Sequence, residues 1–321
     1  MAASDATCIG QRIVLATTRV ALLTVVIALI AVPASAQILP WEVTVAEIEA
    51  GRLRGLAERL AKQNLLYQLR LGAVRKSDMV ETSERIDRVI LGLEKGSPSY
   101  SIPAPWTPAI REQLEKVDAA WGGLRRIATA SAYEALRVSR EFVPSESRKG
   151  DPLLIRYFDA LSEDLVTESD ALIEVYHQEC MKTGLEVCPT ARTSGYAAML
   201  IERAAKQAVS VVAGIDGDRS QQRLEETIAA YRALRKANQE SPFFAAALDP
   251  ARGLSAQAAG ELLASLRDDW DAMQGQFTIL AAGDVENFDL PKMLEIHSRL
   301  VNKVERMTAA LVRYASLTYG S

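Results

Sequence analysis

The chain has 321 residues, about half of them apolar and few aromatic, with a net charge of −4 spread as interspersed positive and negative side chains. That length accommodates two ordinary domains. The balanced charge excludes non-specific nucleic-acid binding, which needs a basic surplus on one face. The long runs rich in Ala, Leu, Arg and Glu, separated by clusters of Pro and Gly, exclude a fold of many short strands.

The N-terminus carries the first readable element. Arg12 and Arg19 precede the apolar run from Val20 to Val32, and Pro33 and Ala34-Ser35-Ala36 follow it. A short apolar core between basic residues and an A-x-A site is the pattern of a secretory signal. The core is also shorter than the roughly 20 residues that span a bilayer as a helix. A signal peptide at 1–36 is therefore expected, cleaved near Ala36 to give a periplasmic or secreted product. The alternative is an inner-membrane protein anchored by an uncleaved N-terminal helix. Cys8 lies inside this segment, leaving Cys180 and Cys188. A pair of cysteines in an oxidising compartment predicts a disulfide closing a small loop. No metal site is expected there, because His177 is the only nearby histidine and zinc needs a tighter Cys/His grouping.

Periodicity and breakers then predict eight helical stretches. They run over about Val43–Leu71, Ser77–Lys95, Ala109–Val143, Pro152–Met181, Thr193–Ala213, a sixth ending near Asn238, Ser255–Ala281 and Leu290–Tyr319. The order is long, short, long, long, stated twice. The sequence repeats as well. Gly51, Leu56, Glu58-Arg59, Ala61 and Lys62-Gln63 fall on Gly195, Leu200, Glu202-Arg203, Ala205 and Lys206-Gln207 at one constant shift. The same shift carries Arg75 onto Arg219, Arg88 onto Arg232 and Ser97-Pro98 onto Ser241-Pro242. An unbroken register over this span is the mark of an internal repeat. After an insertion in the second loop, Trp121 meets Trp270, and further on Ala171 meets Ala309 and Tyr176 meets Tyr314. The expected fold class is all-α: two tandem antiparallel four-helix bundles, over 37–183 and 184–321, after the signal peptide.

The first helix of each half carries the most specific pattern. Ala50-Gly-Arg-Leu-Arg-Gly-Leu-Ala-Glu-Arg-Leu-Ala-Lys62 resembles the A-G-R-Q-R-M-L-S-Q-R-M-A-K signature of PilJ-type domains, the N-terminal sensory domains of type IV pili methyl-accepting chemotaxis transducers. Ser194 to Lys206 keeps its Gly, Met-Leu, Arg and Ala-Lys. Nitrate/nitrite sensor kinases carry a similar A-G-x-L-R segment whose arginine binds the anion at a dimer interface. The resemblance thus implies Arg54, with Arg52 beside it, as ligands to a small anion, and a homodimer as a possible setting. A guanidinium suits this role, since its planar fork of donors matches an oxyanion and stays charged. Ala50, Gly51, Ala57 and Ala61 would let a neighbouring helix approach and partly desolvate Arg54. The spacing Arg54, Glu58, Lys62 also fits an ordinary surface salt-bridge ladder. In the second half Ala198 stands at the Arg54 position, so a symmetric two-arginine clamp within one chain is excluded.

Retention of Glu58, Arg59 and Lys62 as Glu202, Arg203 and Lys206, with Gly51 and Gly195, points to a shared structural role. Trp121, Trp270, Tyr176 and Tyr314 read as core. Trp106, in the Pro-rich loop, fits an exposed contact or a plug at the end of a bundle. His177 and His297 lack a partner pattern, and no catalytic or nucleotide-binding motif is present. Neither an enzyme nor a cofactor is expected. The expectation is a periplasmic ligand-sensing or ligand-binding module that stops at Ser321 without a transmitter, and so acts with a separate membrane receptor or envelope protein in signalling or chemotaxis. The alternative is a helical scaffold for protein–protein contacts in the envelope.

Overall fold

In the computed structural model, residues 38–129, 152–185, 187–240 and 254–319 are described. The expected signal peptide at 1–36 with its cleavage site near Ala36, the stretch from 130 to Val143, and the loop through Pro242, Pro250 and Gly253 lie outside the described residues. Eight α-helices and no strand are found among the described residues: α1 (Pro40–Leu69), α2 (Lys76–Lys95), α3 (Pro108–Thr129), α4 (Pro152–Lys182), α5 (Cys188–Val212), α6 (Gly217–Gln239), α7 (Leu254–Ala281) and α8 (Leu290–Tyr319). None is long and apolar enough to cross a membrane.

Local chemistry sets the ends. Pro40 opens α1, where its missing N–H costs nothing, and the Glu42 carboxylate accepts the Leu39 N–H at 2.9 Å. Asp78 does the same for Arg75 at the start of α2, at 2.8 Å. α1 stops where Arg70 turns left-handed and the Leu71 amide reaches back to the Leu66 carbonyl. α5 begins at Cys188, earlier than the expected Thr193, because Pro189 is well suited to a first turn. The Cys180–Cys188 disulfide, with Cα atoms 5.8 Å apart, therefore ties the end of α4 directly to the start of α5.

The helices pack as two closed rings, α1–α2–α3–α4 and α5–α6–α7–α8, each helix against the next and the last against the first. Each ring encloses its own apolar cluster. Trp121 is buried in the first, with its Nε1 donating to Asp87 at 2.8 Å. Trp270 is buried in the second, stacked on Tyr231 with ring centroids 3.7 Å apart. Trp106 tilts over the buried Tyr176 at 5.8 Å, partly buried against the first core, so it plugs the bundle rather than standing exposed.

The most extensive contact in the molecule joins the rings, between α1 and α5. The two helices run parallel with equivalent residues level: Gly51 meets Gly195, and Gly55 lies against Ala198. A Cβ built on Gly195 would sit 2.7 Å from the Gly51 Cα, so the backbones touch there. Facing α2, α4 and α5 at once, α1 is buried almost all round from Val43 to Leu66. A helix so enclosed would ordinarily be apolar on every face. This one instead buries Glu47, Glu58, Arg54 and Lys62, and these must find partners on the neighbouring helices.

Candidate functional site

Arg54, Glu58 and Lys62 do not form the surface ladder that their spacing allows. All three are buried, and each pairs with another helix. Glu58 takes Arg203 and Lys206 of α5, while Glu202 of α5 takes Arg59 at 2.7 Å and Lys62 at 2.6 Å. The Glu-Arg-x-x-Lys motif of each half thus closes on the glutamate of the other. The local i, i+4 option loses because an unpaired charge buried in the α1–α5 contact costs several kcal/mol.

The two clusters differ in one position. Lys206 also meets Asp159 at 2.5 Å and Glu163 at 3.3 Å, both on α4. In the register that sets Tyr176 on Tyr314, Asp159 falls on His297, and His297 is what Lys62 meets on α8. Its Nε2 lies 3.0 Å from Glu202 Oε2 and 3.0 Å from Lys62 Nζ, and its Nδ1 lies 3.2 Å from Lys62 Nζ. A neutral ring has one N–H to give to Glu202 and one bare nitrogen to accept from Lys62. Burial would raise the Glu202 carboxyl, but Lys62, His297 and Arg59 hold it well below the usual range. Burial and Lys62 push His297 below its ordinary value, against the pull of Glu202. Burial also lowers Lys62, whereas around Lys206 the three carboxylates overcome burial and raise it. His297 had no partner pattern in sequence. Only its alignment with Asp159 could have singled it out.

Arg54 lies on one flank of the α1–α5 contact. Nη1 donates to Asp170 Oδ1 of α4 at 2.6 Å, Nη2 reaches the Arg192 carbonyl at 3.4 Å, and the guanidinium sits over the Tyr196 ring, 5.3 Å from its centroid. Nε is buried without a hydrogen-bond partner. Burial draws the Arg54 pKa down and Asp170 opposes this. These residues line a cavity of about 310 Å³, with Ile173 and Thr193 completing the wall. At its lip Asp170 is about half exposed, and Arg192 pairs with Glu174 at 2.8 Å. Close by, burial raises the Glu47 carboxyl although His177 Nδ1 lies 2.9 Å from its Oε1. Arg52 does not join Arg54. It lies 40 % exposed on the opposite flank, paired with Glu49 at 2.8 Å, so the two candidate arginines serve different surfaces. The helix brought against Arg54 is α5 of the same chain.

The sequence of the first half has a match among known families. Residues 48–140 match the family model PilJ, Type IV pili methyl-accepting chemotaxis transducer N-term. The matched span, less than a third of the chain, is similar to a PilJ domain. The match takes in the arginine-bearing part of α1, the whole of α2 and all of α3. That description places such a segment in the N-terminal part of chemotaxis transducers. No curated protein and no solved structure matches the chain. Among the described residues, no group of three or more His, Cys, Asp or Glu is arranged to hold a metal ion.

Proposed function

We propose that this protein is an exported sensory module that takes a small anion, of the nitrate or nitrite class, at Arg54 and passes the signal to a separate membrane partner. The observation that carries the reading is the state of Arg54: a buried guanidinium opening on a cavity of about 310 Å³, with one N–H lacking a partner. A planar oxyanion fits such a fork and would stack beside the Tyr196 ring. The export signal pattern and the disulfide support a periplasmic setting. The second half supports α1 from within the chain, where a symmetric receptor would use a second subunit.

Asp170 defines how binding proceeds. Its carboxylate already occupies Nη1, and it is half exposed, so the incoming anion takes its place. That exchange loosens the link between α1 and α4 and leaves the α1–α5 contact intact. A thermal-shift series with nitrate, nitrite and chloride tests this. Asp170→Asn removes the internal competitor and is expected to tighten binding of the preferred anion about tenfold, roughly 1.4 kcal/mol. Arg54→Lys keeps the charge, loses the fork and the stacking, and is expected to abolish binding. The reading fails if neither the unmodified protein nor Asp170→Asn is stabilised by any of these anions.

The scaffold reading draws on the same ion pair, taken as a permanent strut. It expects a stable envelope partner that co-purifies with the protein, unchanged by added anion and unaffected by Asp170→Asn.

A further inference from the structure

The two flanks of the α1–α5 contact are chemically opposite. The shift that sets Gly51 on Gly195 also sets Arg54 on Ala198, and the later one that sets Tyr176 on Tyr314 sets Asp170 on Thr308. One flank carries an ion pair, and at the matching place on the other stand a methyl group and a hydroxyl. The space left behind is a groove of about 530 Å³ between α1, α2 and α8, closed at one end by the loop from Gly96 to Ile102. Its volume lies in the range of small-molecule sites, roughly 300–1,000 Å³. Gly55, Gly195 and Ala198 form a floor without bulk, and Leu56, Val89, Val301 and Val304 supply apolar walls.

The rim carries five cations against three carboxylates. Glu49 takes Arg52, Glu202 takes Arg59, and Glu305 is shared between Arg59 at 2.9 Å and Arg85 at 3.2 Å. Arg88 and Lys95, both exposed on α2, make no ion pair among the described residues. They lie one above the other on the same side of α2, two turns apart, along one edge of the groove. At the same edge Leu91 and Tyr100 stand exposed to solvent, 50 % and 70 %, and add apolar surface beside the two cations.

We infer that this groove binds a small amphiphile with a single anionic head and an unbranched apolar tail, the tail lying over Gly55 and Ala198 and the head held by Arg88 and Lys95. An unbranched chain fits the floor, because Gly55, Gly195 and Ala198 carry no side chain beyond a methyl group to interrupt it. The surplus positive charge selects the sign of the head. The site is independent of the Arg54 cavity, which lies on the opposite flank.

Isothermal titration with dodecanoate below its micellar concentration tests the inference, with dodecyltrimethylammonium as the probe of opposite charge. Dodecanoate is expected to bind one to one, and the cationic amphiphile at least tenfold more weakly. Arg88→Gln with Lys95→Gln, both at exposed positions, should cost dodecanoate at least tenfold and erase the preference for the anionic head. Ala198→Arg refills the floor and should abolish binding. If that variant loses its helical signal, Val89→Asp, which places a carboxylate on the half-exposed wall, is expected to give the same loss. Arg54→Lys should leave dodecanoate binding unchanged, so failure here and failure of the anion reading are separable. Equal binding of the two amphiphiles, no binding of dodecanoate, or unaltered binding in folded Ala198→Arg or Val89→Asp would each overturn it. Capture of an acidic amphipathic peptide in place of dodecanoate would likewise reassign the groove to a protein partner.

Discussion

His297 shows how one residue can set a condition on the whole contact. It faces Lys62 and Arg59 of α1 and Glu202 of α5, and its folded-state pKa lies below 6.5 because burial and Lys62 oppose the imidazolium. The unfolded chain therefore binds that proton more readily than the native one. The contribution of a neutral His297 is present above about pH 6.5 and is lost as pH falls through the lowered folded value. Glu202 acts in a lower window, since its depressed carboxyl stabilises the fold above about 4.5 and fails only below it. Urea unfolding measured between pH 7 and 5 is expected to show falling stability, and His297→Gln should flatten that slope. An unchanged slope in His297→Gln would show that another group carries it. The residue-level chemistry was the least legible part of the sequence. Arg54 could be singled out by resemblance, yet Asp170, 116 residues away, could not. Arg52 stands two positions from Arg54 and so points to another flank, which the A-G-R-L-R string does not reveal.

At the scale of elements, reading and structure agree closely, for a physical reason. Helix period, Pro at first turns and clusters of Gly and Pro act over a few residues, so they survive in a single sequence. α1 shows the limit of such signals. Its apolar and charged residues give no clear stripe, because the helix is covered on three sides and its charges are satisfied from α4, α5 and α8. The glycine pair is the sharper clue, since only close backbone approach explains it. The approach is unequal, and this makes a prediction. A Cβ at Gly195 would meet the Gly51 Cα, C and O at 2.7–2.9 Å, all of them backbone atoms, whereas one at Gly51 would meet the Gly195 Cα at 3.2 Å. Gly→Ala inside a helix ordinarily gains up to about 1 kcal/mol from propensity. Gly195→Ala should instead destabilise by about 1–3 kcal/mol as α1 and α5 are forced apart, and Gly51→Ala should cost clearly less. Chemical denaturation of the two variants side by side decides the ranking, and the packing account fails if Gly195→Ala is as stable as the unmodified protein.

Across the whole molecule, the exchanged glutamates make the two rings depend on each other. From Leu39 onward the chain forms one compact unit although it has two apolar cores, and α1 contributes Leu65 and Leu66 to the second core while lying in the first ring. Unfolding either ring would strip the glutamate, lysine and arginine of the other of their partners and expose the most extensive helix contact in the molecule to water. That penalty couples the rings, so calorimetry is expected to show one transition. The two clusters should nevertheless bear unequal loads. If Glu58 is replaced by Gln, Arg203 keeps Glu163, and Lys206 keeps Asp159 and Glu163. If Glu202 is replaced, then among the described residues Arg59 keeps Glu305 alone, and Lys62 keeps a histidine that resists protonation. Removing one partner of a buried ion pair costs about 3–5 kcal/mol when no other counter-charge remains. Glu202→Gln should approach that figure, and Glu58→Gln should fall well short of it. With its anchor weakened on one side only, Glu202→Gln is also the variant in which the single transition should begin to split. Equal losses in the two variants would mean that the carboxylates of α4 do not compensate Lys206 and Arg203 as their distances imply.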